Sequence, residues 1–223
     1  MTLFEYIEQH STPENSALSA ITSDTYRNVL NPHMLSGQVQ GRVLSMLSCM
    51  IRPRRILELG TFTGYSALCL AEGLTEDGLL YTIDHNDELE DTVRHNLSLS
   101  PLGTKIRPLI GDALEILNSE AINRSSAAIT GEALNDEVFD LVFIDADKRQ
   151  YCEYLDAIYN KVRAGGFILA DNTLWDGHII DPAYDHDRQT QGLRLFNDRL
   201  VSDPRFECVI LPLRDGLTLI KKL

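Results

Sequence analysis

Residues 55–74, RILELGTFTGYSALCLAEGL, decide how the rest of the chain is read. Residues 55–60 read as a strand. Residues 64–74 read as a helix that Gly73 helps to end. Between them, Gly60 and Gly64 allow the backbone to turn tightly and to come close to a ligand. A strand that passes through a glycine turn into a helix is the first half of a βαβ unit.

The alternation continues downstream. Strands are expected at 79–84 (LLYTID), 105–111 (KIRPLIG, weakened by Pro108), 139–145 (FDLVFID) and 167–171 (FILAD). Helices are expected at 87–100, from residue 112, at 149–163 with AGG as the stop, and near 189–202. Residues 119–137 carry no clear period and read as a variable connection. FECVILPL and GLTLIKKL are joined by RDG, a hairpin signal centred on Asp215-Gly216. Residues 1–53 read as helical, with Ser11 or Thr12 as a cap before Pro13. In residues 36–51, Val39, Val43, Leu44, Met46 and Leu47 fall near helical spacing. The pattern predicts one α/β domain over 1–223: a helical segment to residue 53, then a doubly wound, mostly parallel sheet covered by helices, with an antiparallel terminal hairpin.

Composition limits the function. The 223 residues suffice for one sizeable core, at 43% hydrophobic and 24% charged. No apolar run is long enough to span a bilayer, and the first residues have no basic start followed by an apolar core. Cys49, Cys69, Cys152 and Cys208 form no CxxC pair and read as reduced core thiols of a cytoplasmic protein. A net charge of −13 favours solubility and works against nucleic acid or anionic membranes as partners.

Open α/β sheets bind ligands outside the carboxyl ends of their strands. The informative acids sit at those ends: Glu58, Asp84, Asp145 and Asp171. Asp145 and Asp171 meet only if the fourth and fifth strands are neighbours. Asp84 can accept hydrogen bonds from both ribose hydroxyls of an adenosine. The dinucleotide fingerprint G-x-G-x-x-G is absent, because Phe62 stands where its second glycine would admit a pyrophosphate. The loop therefore suits an adenosine ligand without a pyrophosphate. The competing reading is a plain strand–turn–helix with a chance acid.

Taken in order, ILELGTFTGYSALCLAEGL, YTIDHN, GDA, FIDADKRQY and LADNTLWDG resemble the motifs of class I S-adenosylmethionine-dependent methyltransferases. More narrowly, they resemble the cation-dependent catechol and caffeoyl-CoA O-methyltransferases and their small bacterial relatives. NPHMLSGQVQG and DGLTL extend the likeness from about Asn31 to the C-terminus. The resemblance implies a seven-stranded Rossmann-like methyltransferase sheet. It also implies a cofactor site lined by Met34, Ser36, Glu58, Gly60, Ser66, Asp84, Asp112, Ala113 and Asp145. Tyr65 belongs either to that site or to the core.

Asp145, Asp171 and Asn172 match the family's ligands for a divalent cation. Three oxygen donors select hard ions, Mg²⁺ first and Mn²⁺ or Ca²⁺ as alternatives. Two carboxylates offset a dication and leave positions for water and substrate. Otherwise, Asp145 is a strand-end cap and Asp171-Asn172 a turn. Lys148 matches the family's general base, which needs a depressed pKa to act near neutral pH. The alternative is that it only balances the carboxylates. Asp147 departs from the catechol enzymes, which carry an aromatic residue there, and fits the caffeoyl-CoA and bacterial members.

The mechanism so implied orients a vicinal diol on an aromatic ring, removes a hydroxyl proton and lets the oxygen attack a sulfonium methyl in line. Orientation does most of the work. Acceptor choice falls to the N-terminal helices and the loop 173–189, where Trp175 either covers a flat acceptor or anchors the loop. His178 and His186 read as solvent-exposed. Two alternatives stand beside this reading. One is a tRNA 5-hydroxyuridine O-methyltransferase, disfavoured by charge and by the basic run RPRR (52–55) lying at the opposite end of the sheet. The other is a non-catalytic nucleotide-binding domain, which has no use for Lys148 or the metal set. Relatives are commonly homodimers, so a homodimer is expected, with the N-terminal helices as its interface.

Overall fold

The computed structural model describes residues 1–118 and 138–223. The connection expected at 119–137 lies outside the described residues. Seven strands form one sheet: β1 (Arg55–Leu59), β2 (Leu79–Asp84), β3 (Ile106–Ile110), β4 (Phe139–Ile144), β5 (Val162–Ala170), β6 (Phe206–Leu211) and β7 (Leu217–Lys222). Their order is β3-β2-β1-β4-β5-β7-β6. The first five are parallel, and β7 runs antiparallel to both β5 and β6. Four consecutive residues of β4, Leu141–Ile144, are fully buried, as expected of a strand covered on both faces. Pro108 is tolerated because β3 is the edge strand beyond β2, where one side of the strand needs no ladder donor.

Eight α-helices accompany the sheet among the described residues: α1 (Leu3–Gln9), α2 (Ser16–Asn28), α3 (Gly37–Ile51), α4 (Tyr65–Ala71), α5 (Glu90–Ser98), α6 (Ala113–Asn118), α7 (Tyr151–Tyr159) and α8 (Arg188–Ser202). One apolar cluster joins α7 and α8 to one sheet face, around Tyr151, Leu155 and Phe196. A second joins α2, α3, α4 and α5 to the other, around Ile21, Leu44 and Leu68. No described helix is long and apolar enough to cross a membrane.

Several expectations need correction. Asn15, not Ser11 or Thr12, caps α2, its side chain accepting from Leu18 N at 3.0 Å. The helix expected to 163 ends at Tyr159, and AGG lies inside β5 rather than stopping a helix. The stretch does so because β5 extends toward the amino end and Val162 pairs with Phe139 there. The stripe read on α3 is also different. Its buried face is Gln40, Gly41, Leu44, Ser45 and Ser48, while Met46 is exposed. Small and polar side chains let α3 approach α4 closely, and the Ser48 hydroxyl donates to Leu70 O at 2.6 Å. Cys69 alone of the four thiols is buried. Cys49 and Cys208 are exposed and Cys152 is intermediate, so they are not all core residues, although all four are free.

Candidate active site

Parallel strands β1, β2, β4 and β5 end side by side, and main-chain hydrogen bonds step across their ends. Gly60 N donates to Ile83 O (2.8 Å), Asp145 N to Leu59 O (2.8 Å) and Asp171 N to Ile144 O (2.9 Å). Each acid therefore leaves the sheet from a fixed backbone position. Gly60 has φ of 101°, and a Cβ there would lie 1.9 Å from Asp145 O, so no other residue fits between the two loops.

On the β1–β2 side, Asp84 anchors the glycine turn. Its Oδ2 accepts from Thr61 N (3.0 Å) and Phe62 N (2.8 Å), and Oδ1 accepts from Asn86 N (2.9 Å). Glu58 is fully buried. Thr82 Oγ1 donates to its Oε2 at 2.5 Å, Ser66 adds a further bond, and Oε1 has no partner. Burial pushes its carboxyl up to about 8, assisted by the charges of Asp145 and Asp84 and opposed by the two hydroxyls. Ser66 is buried at the start of α4, and Ser36 is buried just before α3. Met34 is exposed. Asp112 caps α6 by accepting from Glu115 N (2.9 Å), which places Ala113 in the first helical turn. Tyr65 is a core residue, buried, with its hydroxyl donating to Glu14 at 2.8 Å.

On the β4–β5 side, Ile144 and Ala170 are register partners, so Asp145 and Asp171 follow them at adjoining strand ends. The condition set by the sequence is met. Lys148 turns back over this pair and donates to Asp145 Oδ1 at 2.6 Å, and it is buried. Its turn is pressed by α8, where a Cβ on Gly192 would meet Lys148 O at 2.6 Å. Asp171 is 3% exposed, and burial together with the charge of Asp145 pushes its carboxyl up to about 7. Asn172 has φ of 56°, and its side chain is hydrogen-bonded to Asp215. Among the described residues, no group of three or more His, Cys, Asp or Glu that could hold a metal ion is found. Asp147 is paired with Arg149, which bonds both its oxygens and holds its carboxyl low.

The fold is shared with known proteins. A sequence profile of the O-methyltransferase family matches residues 8–223. The chain belongs to the O-methyltransferase family. Among curated relatives of this O-methyltransferase, tricin synthase 1 of Oryza sativa subsp. japonica is 34% identical over 195 residues, covering 85% of this chain and 75% of that one. Caffeoyl-CoA O-methyltransferase of Petroselinum crispum is 32% identical over 228 residues, covering 99% and 90%. The crystal structure of the O-methyltransferase from Bacillus cereus in complex with SAH superposes with a TM-score of 0.84 at 28% identity, covering 98% and 96%.

Three side chains of the candidate site were not singled out from the sequence. Tyr151 is buried beneath it and donates to Asp171 O at 3.0 Å, tying α7 to the end of β5. Gln40, 1% exposed, donates from Nε2 to Asp171 Oδ2 at 2.5 Å. Arg214 donates to Leu35 O (2.9 Å), Ser36 O and Gln40 Oε1 (3.3 Å). A glutamine on the inward stripe of α3 was the available signal for Gln40. Tyr151 looked like an ordinary helix residue, and Arg214 like a hairpin residue. In the loop after β5, Trp175 is partly buried against the core, His178 stacks on Tyr184 at 3.5 Å between ring centres, and His186 is exposed.

Proposed function

We propose that this O-methyltransferase uses S-adenosylmethionine and a divalent cation to methylate a hydroxyl of a small catechol-like acceptor. The observation that carries the reading is the convergence of Asp145, Asp171 and Lys148 beside the glycine turn held by Asp84. One named relative is a caffeoyl-CoA O-methyltransferase and another O-methyltransferase was crystallised with SAH, which supports extending a small acceptor and this cofactor to the present chain.

The residues fit both groups. One buried carboxylate, Asp171, and one half-buried carboxylate, Asp145, have a single lysine beside them, so the cluster is short of positive charge, and its donors are all oxygen. Asp145, Asp171 and Asn172 would hold the cation, Mg²⁺ first. When bound, it lowers the pKa of an acceptor hydroxyl and supplies charge that the protein lacks there. The buried Oε1 of Glu58 has no partner within the protein, which fits a polar ligand atom at that strand end. Asp84 would accept from the ribose hydroxyls. Gly60, Ser66, Ser36, Met34, Asp112, Ala113 and the Asp145 main chain would line the rest. The cofactor supplies a methyl on a sulfonium. Lys148, in its neutral form, would take the acceptor's proton at Nζ and become an ammonium, and the loop 173–189 would shield and orient the ring.

The enzyme is proposed to be a single catalytic domain over 1–223, cytoplasmic, and paired as a homodimer. Exposed Leu3, Phe4, Met46 and Met50 on α1 and α3 support the pairing, since a helix of two turns has little stability of its own. Light scattering measures the pairing. The reaction is tested by transfer of labelled methyl to catechols and to unmodified tRNA in parallel. Transfer to catechols that stops with chelator and returns with Mg²⁺ is expected. Full transfer by demonstrably metal-free enzyme removes the cation from the reading. Transfer to tRNA alone replaces the acceptor.

A further inference from the structure

Gln40 joins two parts of the molecule that are distant in sequence. Its side-chain amide has a carbonyl oxygen that only accepts and a nitrogen that only donates. Arg214 has no acceptor, so the oxygen must face the guanidinium, as it does at 3.3 Å. The nitrogen is thereby aimed at Asp171 Oδ2, at 2.5 Å. The orientation of the amide follows from its neighbours and has no equally good alternative.

The same guanidinium holds the main chain that leads into α3, through Leu35 O, Ser36 O and, at 3.3 Å, His33 O. Residues 33–36 and Asp171 are therefore connected by one chain of hydrogen bonds, from backbone through Arg214 and Gln40 to a carboxylate. Asn172 N fixes the other oxygen of Asp171 at 2.8 Å. Both oxygens are thus oriented, and each retains a lone pair. A neutral donor orients the carboxylate without cancelling its charge, which a lysine or arginine in direct contact would do.

We propose that Gln40 is a positioning residue which, through Arg214, makes the segment 33–36 and the Asp171 carboxylate one mechanical unit, so that occupancy of the cofactor side tightens cation binding. The inference rests on the reading of those two subsites given above. Coupling of this kind is reciprocal, and the cation tightens the cofactor side by the same factor.

Mn²⁺ binding by paramagnetic titration, with and without S-adenosylhomocysteine, measures it without turnover. In the wild type, the cofactor product is expected to tighten Mn²⁺. In Gln40→Leu, Mn²⁺ affinity should fall about 10- to 100-fold, the usual effect of removing a partner that orients a ligand, and the tightening should disappear. Arg214→Leu leaves Asp171 its amide partner and is the safer variant for folding. It should weaken Mn²⁺ less and still abolish the coupling. Circular dichroism verifies that each variant is folded. If both variants bind Mn²⁺ like the wild type and keep the coupling, the positioning role is overturned while the cation site stands. A wild type that binds no Mn²⁺ overturns the cation site and this inference together.

Discussion

The two ends of the sheet carry the same kinds of charge and treat them in opposite ways. At the amino end, Asp140 accepts from Arg54 N (2.7 Å), Arg55 N (3.0 Å) and Arg163 Nε (2.6 Å). Burial alone would raise its carboxyl, but these donors outweigh burial and hold it below the ordinary value. Arg54 pairs with Asp77 nearby, in solvent. At the carboxyl end, Glu58 and Asp171 are pushed upward, because burial there outweighs the donors present. Asp140 is satisfied by the fold. At the other end Glu58 and Asp171 are left short of partners, at a cost to stability, which supports the proposal that ligands bind there.

The largest test of this contrast is Lys148→Ala. It should lower turnover about 10²- to 10⁴-fold while cofactor and cation affinities stay nearly intact. The loss should shrink for nitro-substituted catechols, whose hydroxyls are already acidic. Equal losses with both kinds of acceptor would make Lys148 a counter-ion only.

Glu58→Gln sharpens the comparison through stability. Glu58 has its folded pKa near 8 against 4.5 as a reference, so the unfolded chain ionises first as pH rises. Folding then requires proton uptake, and stability falls between those values by up to about 1.4 kcal/mol per pH unit. Urea unfolding from pH 5 to 8 should show a shallower fall in the variant, with Asp171 supplying the remainder. Parallel curves for the two proteins would mean that Glu58 is ionised in the native state.

Asp84→Ala is expected to weaken binding of the cofactor product by about 1.5–3 kcal/mol per lost charge-assisted bond. Calorimetry should record that loss with Mn²⁺ affinity retained. An unchanged affinity would confine Asp84 to holding Thr61 and Phe62.

The smallest effect belongs to the other end. Asp140→Ala should cost roughly 1–2 kcal/mol of stability and leave turnover untouched. Its carboxyl is held low when folded, so its contribution is present at neutral pH and vanishes as pH falls below the reference value of 3.8. Wild type and variant should converge in acid. A turnover defect would break the division between the two ends.

The strand ends were legible because a buried parallel strand has a simple signature, a continuous apolar run stopped by an acid. FDLVFID and FILAD both show it, and the register of β4 and β5 then brings Asp145 beside Asp171. The α3 stripe was misread for the converse reason. Close approach of two helices selects Gly41, Ser45 and Ser48, which carry no hydrophobic signal, and leaves Met46 in solvent. Gln40 and Arg214 were invisible for a further reason, since their meaning depends on a contact between residues 174 positions apart. No periodicity within either segment reports such a contact.

That long contact has a kinetic side. Arg214 reaches Leu35 across 179 positions of chain, and β7 enters the sheet between β5 and β6. Contacts of such separation close large loops and form slowly, after local helices and neighbouring strands. The segment 33–36 is consequently fastened only when the hairpin docks. Cofactor-product binding during refolding should therefore appear with the slowest phase, well after the helical signal has recovered. The site then serves as a clock for the completion of the native chain.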